Sequence, residues 1–293
     1  MFKFIVKRIL SAIPVLLIVV FITFFLMRML PGDVAVQILG HDAPPGDLEI
    51  LRETLGINEP KLVQFWDYIQ GILHGDLGTS LYNNLPVMEN IRNSLEPTIL
   101  IMIFSILISV VVGIPVGVIS AVHRNSILDY LLMTVSVFGL SIPVFWSGIM
   151  LAYYVGTLWG VLPNMYYYPI SQVGLGQAIQ YVILPSVALG FQSVASIARY
   201  TRSTMLDTLG EDYIRTARAK GLAERVVLYQ HALKNAMSPV ITHIGTNMAS
   251  LMGGACVIET VFGINGMGKL AYDSLIRRDY TQVQAIILVV ALV

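Results

Sequence analysis

Tyr213-Ile214-Arg215-Thr216-Ala217-Arg218-Ala219-Lys220-Gly221 lies in a basic, polar island, Arg199 to Pro239, between two long apolar stretches. Tyr130 to Ala198 contains no Asp, Glu, Lys or Arg, and Asn235 to Ile258 contains none either. A basic segment of this length, held between stretches that can enter a bilayer, is suited to present a short helix at a membrane surface. Arg215, Arg218 and Lys220 give that helix a positive side, and Tyr213, Ile214 and Ala217 an apolar one. Gly221 fits its C-terminal position. The small residues Ala217 and Gly221 are where a docking helix needs close fit to a partner. A second helical stretch, Ala223 to Met237, leads to Pro239 and the next apolar run.

Composition agrees with a chain dissolved in lipid. Of 293 residues, 56% are hydrophobic and 12% charged, against about 25% charged in soluble domains. Cys256 is the only cysteine, so no intramolecular disulfide can form. Lys3, Lys7 and Arg8 precede an apolar run that is longer than a signal-peptide core and lacks a small-residue cleavage site, so it reads as an uncleaved first span. A helical span needs about 20 apolar residues. The candidates are 9–29, 98–121, 128–157, 181–205 and 240–258, with a sixth from about residue 281 that is incomplete at Val293. Gly160, Pro163, Asn164, Pro169 and Gly174 mark a short loop between the third and fourth. Pro14, Pro115, Pro143, Pro185 and Pro239 lie in or beside spans and read as tolerated kinks. Gly113 and Gly117 have the small-xxx-small spacing of close helix packing.

Charge sets the expected orientation, because Lys and Arg near spans favour the cytoplasm. With the N-terminus inside, the inner segments hold eleven basic residues against Asp129, Asp207, Glu211, Asp212 and Glu224. The outer loop, residues 31–97, holds ten acidic residues against Arg52, Lys61 and Arg92. Lys269, Arg277 and Arg278 fall outside on this arrangement, and Arg28 would snorkel to the outer interface. Within the loop, Leu48, Leu51 and Leu55 fit one helix face, and Phe65, Trp66, Ile69, Ile72 and Leu73 a second amphipathic run. The loop reads as a folded cap, a docking site for a binding protein, or both.

The island, followed by His231-Ala-Leu-Lys-Asn-Ala236 and Pro239, resembles the coupling loop of ABC-importer permeases of the dipeptide/oligopeptide/nickel branch. The resemblance extends to Lys7-Arg8, Leu30-Pro31-Gly32-Asp33, Gly75-Asp76-Leu77-Gly78-Thr79-Ser80, Val257-Ile258-Glu259-Thr260-Val261-Phe262 and Arg278-Asp279-Tyr280, and so covers essentially the whole chain. Against the broader importer pattern Glu-Ala-Ala-x-x-x-Gly, Arg215 and Thr216 replace the Glu and first Ala, while Ala217 and Gly221 are retained. The later proline of that pattern falls on Lys234.

The resemblance implies an all-α, polytopic type I importer domain of six spans, forming one permease domain over 1–293 with a coupling loop at 199–239. It implies that Tyr213, Arg215, Thr216, Ala217, Arg218, Ala219, Lys220 and Gly221 couple the bundle to an ATP-hydrolysing subunit. It also implies a homologous second permease, two ATPase subunits, an extracytoplasmic binding protein and an inner-membrane location. The cargo implied is a di- or oligopeptide, with nickel or a metal chelate as the alternative. No cofactor or nucleic acid is expected on this chain; ATP and Mg²⁺ belong to the partners.

Gly263-Ile-Asn-Gly-Met-Gly268-Lys269 mimics a phosphate-binding loop, but Leu270 stands where that loop needs a hydroxyl, so it reads as a turn. His41, His74, His123, His231 and His243 form no metal spacing, and the serines lack a nucleophile-elbow context, which disfavours an intramembrane enzyme. An ion-coupled transporter would show acids inside spans, and none is expected here. Polar residues in lipid seek the bundle interior, so Ser141, Ser147, Gln192, Ser193, Ser196 and Asn247 are the candidate pathway residues. His243 reads as a hydrogen-bonded packing residue.

Overall fold

The computed structural model describes residues 2–29, 33–40 and 42–292. Met1, Leu30, Pro31, Gly32, His41 and Val293 lie outside the described residues. In chain order the helices are α1 (Phe2–Met29), α2 (Val34–Leu39), α3 (Pro45–Thr54), α4 (Lys61–His74), α5 (Val87–Val122), α6 (Ile127–Ser141) and α7 (Val144–Leu151). They continue as α8 (Ile170–Val173), α9 (Leu175–Leu209), α10 (Asp212–Ala219), α11 (Glu224–Val226), α12 (Lys234–Val261), α13 (Met267–Ile276) and α14 (Tyr280–Leu292). Two π-helical segments are inserted, π1 (Ala152–Leu158) and π2 (Val227–Leu233). Among the described residues there is no strand, only an isolated bridge between Thr79 and Pro86. The chain divides into two compact units, residues 1–95 with 270–293, and residues 96–269.

In the first unit α1 packs on α14. Phe21, Phe24 and Phe25 of α1 interlock with Phe65 of α4, the Phe24–Phe65 centroids 5.1 Å apart. Trp66 and Leu73 lie off that packed face and are exposed. Asp33 caps α2 through the Ala35 N–H, and Arg52 of α3 grips Asp33, holding its carboxyl below the usual range. Two motifs distant in sequence meet here. The Ser80 hydroxyl donates to buried Asp279, whose other oxygen accepts the Gln282 N–H at the start of α14. Gly78 is required beside them, because a Cβ there would stand 2.8 Å from Thr281 Cγ2.

In the second unit α5, α9 and α12 build the core, with Leu189, Ala255, Ile258 and Phe262 almost fully buried. The small-residue pair acts as its spacing implies. A Cβ on Gly113 would lie 2.9 Å from the Val194 carbonyl, and one on Gly117 2.5 Å from that of Ala198. Ser105 and Ser109 donate to the Ser186 and Gly190 carbonyls, and Ser186 donates back to Ile101. With no hydrophobic drive between helices in lipid, such close contact and hydrogen bonding hold them together.

α1, α5 and α9 are each long and apolar enough to cross a membrane. The expected third span is not one straight helix: α6 and the α7–π1 segment are bent by 97°. Pro143 supplies no N–H and disfavours the helical conformation in the residue before it, and Ile142 is extended. π1 is held by Asn164, whose Nδ2 donates to the Ala152 carbonyl and to Thr157 Oγ1. α12 is as long as a span but less apolar, since His243, Thr246, Asn247 and Ser250 lie along its middle. Pro239 does not end a helix; π2 runs on into α12 through it.

Candidate functional site

The basic island folds as foreseen into a short helix, α10, followed by a turn. Gly221 adopts φ +74°, the left-handed conformation that closes a helix without a Cβ penalty. Arg218 and Glu224 pair across this turn through two bonds, Nε–Oε2 3.1 Å and Nη2–Oε1 2.7 Å. That guanidinium lowers the pKa of the Glu224 carboxyl.

The apolar side expected of α10 is buried at Ile214 and Ala217 but not at Tyr213, and it faces the protein's own bundle. Ile214 and Ala217 turn inward, at 0% and 6% exposure, into a cluster with Val118 and Ala121 of α5, Met205 of α9, Val227 and Ala232 of π2, and Ala236 of α12. Ala217 is therefore not a surface for a partner. An i, i+3 pair of apolar residues on a two-turn helix roots it in its own bundle, and burying Ile214 contributes roughly 1.5–3 kcal/mol. Tyr213, Arg215, Thr216, Arg218, Ala219, Lys220 and Gly221 remain exposed. Asn235 at the start of α12 donates to the Tyr213 hydroxyl at 2.9 Å. α10 is thus tied to α9 by chain continuity and to α12 through π2 and Asn235.

Those two helices also bound a cleft. Gln192, Ser193, Ser196 and Asn247 line one cavity of about 190 Å³, together with Leu140 and Ser250. Leu140 and Ser196 also line an adjoining cavity of about 340 Å³, walled by Arg199, Tyr200, Ser203 and His243. Four of the six pathway candidates are brought together. Ser141 and Ser147 are not: their hydroxyls bond back to the Val137 and Val144 carbonyls of their own helices, and Ser141 is exposed. His243 does pack as a hydrogen-bonded residue, 3.0 Å from Ser196 Oγ and stacked on Tyr200 at 4.2 Å. It also lines the cleft, a role whose one signal was a lone imidazole within a charge-free run.

Two acids are more buried than the sequence suggested. Asp129, 1% exposed, sits in the first turn of α6. It accepts from Ser120, the Asn125 N–H and both sides of the Arg202 guanidinium, each Arg202 bond 2.7 Å. Glu259, fully buried near the end of α12, accepts from Thr98 at 2.6 Å and the Lys269 N–H at 2.8 Å. Both acids stand at helix ends, at or just beyond the limits of the expected spans. Each carboxylate is held by fixed donors, a fastening rather than an ion path.

Each glycine that imitates a phosphate loop has a packing or backbone reason, and Glu259 supplies one of them. A Cβ on Gly266 would lie 2.2 Å from its carboxyl group, and one on Gly268 2.5 Å from Cys256 Cα. Gly263 takes φ +64°. The spacing packs a turn onto a buried carboxylate, which would repel phosphate.

The family model described as binding-protein-dependent transport system inner membrane component matches residues 113–293, and the model of its N-terminal region matches residues 1–102. The dipeptide transport system permease protein DppB of Alkalihalophilus pseudofirmus is 41% identical over 310 residues, covering 99% of this chain and 93% of that protein. The glutathione transport system permease protein GsiC of Escherichia coli K12 is 41% identical over 292 residues, covering 100% of this chain and 92% of that protein. GsiC of Salmonella typhimurium is similar to the same extent.

Proposed function

The chain belongs to the family of binding-protein-dependent transport system inner membrane components, and on that premise we propose that it forms half of the pathway of an ATP-driven importer of di- or oligopeptides. Relatives named for dipeptide and glutathione transport support the peptide assignment. The partners are a homologous second permease, two ATPase subunits on the cytoplasmic face and an extracytoplasmic binding protein. The charge asymmetry between residues 31–97 and the island supports a cytoplasmic N-terminus. ATP is hydrolysed by the ATPase subunits.

The observation that carries the reading is the rooting of α10. Its exposed face is free for a partner, while Ile214 and Ala217 lock it to α5, α9, π2 and α12. A partner that shifts α10 as nucleotide binds moves α9 and α12 with it, and these helices wall the cleft. Two packings of the bundle, biased by different contacts in each state, then suffice for alternating access. The cleft offers hydroxyls, amides and an imidazole, groups that exchange hydrogen bonds with a peptide backbone without holding it tightly.

Gly221→Pro tests the coupling, because φ +74° is closed to proline. The variant still inserts and assembles, since no span changes. Peptide uptake and substrate-stimulated ATPase activity in reconstituted complexes fall together to background, while the isolated binding protein keeps its affinity. Normal coupled activity in the assembled variant would remove α10 from the mechanism.

A further inference from the structure

A polar cavity of about 460 Å³ in the first unit is distinct from the coupling helix and the cleft, and Arg28, Asn58, Lys61, Gln64, Tyr280 and Thr281 contribute to its walls. Arg28 stands in the last turn of α1. Its guanidinium rests on the Phe24 ring, 3.5 Å from the centroid, and Nε donates to Gln64 Oε1 at 2.7 Å. No carboxylate among the described residues lies within ion-pair distance of Arg28 or Lys61. Of the acids on the cavity wall, Asp33 is already held by Arg52, which leaves Glu59 against two cations. A half-buried cation without a counter-ion is costly, and an anion entering from outside the chain would relieve that cost.

The place of Arg28 identifies the anion. α1 is a mostly uncovered apolar helix, and Leu17 and Phe21, which lie on the same face as Arg28, are each about half exposed. Where its 20-residue apolar run spans a bilayer, its last turn falls at the depth of the lipid phosphates. We propose that this cavity holds the phosphodiester of a phospholipid from the leaflet at the C-terminal end of α1, with an acyl chain along Phe21 and Leu17. Arg28 and Lys61 bind the phosphate oxygens, and the Tyr280 and Thr281 hydroxyls can donate to them.

The test is native mass spectrometry of the purified full chain in its native assembly, titrated with phosphatidylglycerol. Arg28→Gln lowers phosphatidylglycerol retention about tenfold, the loss of one charge-assisted contact, and Lys61→Gln lowers it by a smaller factor. Retention equal to wild type in Arg28→Gln would overturn the proposal. If Arg28→Gln does not assemble, exposed Lys61 decides: loss supports the site and unchanged retention refutes it. sn-Glycerol 3-phosphate at the same concentration is the second arm. Failure to displace the lipid is expected, and displacement would show a site for free anions instead.

Discussion

Arg202→Met destabilises the protein by about 3–5 kcal/mol, the range for stranding one member of a buried ion pair. Asp129 is almost without exposure and takes two of its four bonds from Arg202. Removing the guanidinium leaves a carboxylate that the Ser120 hydroxyl and one backbone N–H cannot neutralise. The consequence reaches further than the pair, because Asp129 joins the 123–126 corner to α9, the helix that leads into α10. Asp129→Asn combined with Arg202→Met should recover most of the loss, since no charge is then buried. Thermal unfolding of the purified assembly, read by size-exclusion of the surviving fraction, gives the three values for a double-mutant comparison. A single variant within about 0.5 kcal/mol of wild type would mean that the pair is solvated and carries no fastening role.

Gly117→Leu should lose most of the assembled protein. Its Cβ would lie 2.5 Å from the Ala198 carbonyl oxygen and 2.6 Å from Thr201 Cβ, both on the rigid middle of α9. Neither neighbour is the end of a flexible side chain, so α5 and α9 must separate and the Ser105, Ser109 and Ser186 bonds between them are strained. Overpacking of this kind costs about 1–3 kcal/mol or more. Gly245→Leu on α12 is the control, because an added Cβ there meets nothing within 4 Å. Expression and melting temperature of the two variants should diverge. Equal behaviour would show that the α5–α9 contact is looser than the backbone distances require.

The spans formed by α1, α5 and α9 and the position of the short helix α10 were legible because both rest on local signals: apolar runs between charged loops, and a basic island closed by glycine. The packing of Gly113 and Gly117 was legible for the same reason. The bend between α6 and α7 was only half visible; Pro143 announces a break but not its angle. π1 and π2 left no signal, since a π turn has no composition of its own and depends on partners such as Asn164. Ala217 sits on the apolar side expected of it, but that side faces the bundle rather than a partner, and only the surrounding cluster decides this. The cleft required three helices to converge. Gln192, Ser193, Ser196 and Asn247 met there, whereas Ser141 and Ser147 satisfied themselves on their own backbone. The glycine loop was legible as a turn, because Leu270 denies it the phosphate-loop hydroxyl; that Gly266 makes room for buried Glu259 was not.

The central claim is that the exposed face of α10 contacts an ATPase subunit while Ala217 anchors it to the bundle. Single cysteines at positions 216, 217 and 220, in a Cys256→Ala background, can be probed with a short bifunctional cross-linker in the assembled transporter. Cross-links from 216 and 220 to the ATPase subunit, with none from 217, are the predicted result. A cross-link from 217, or none from 216 and 220, would contradict the account.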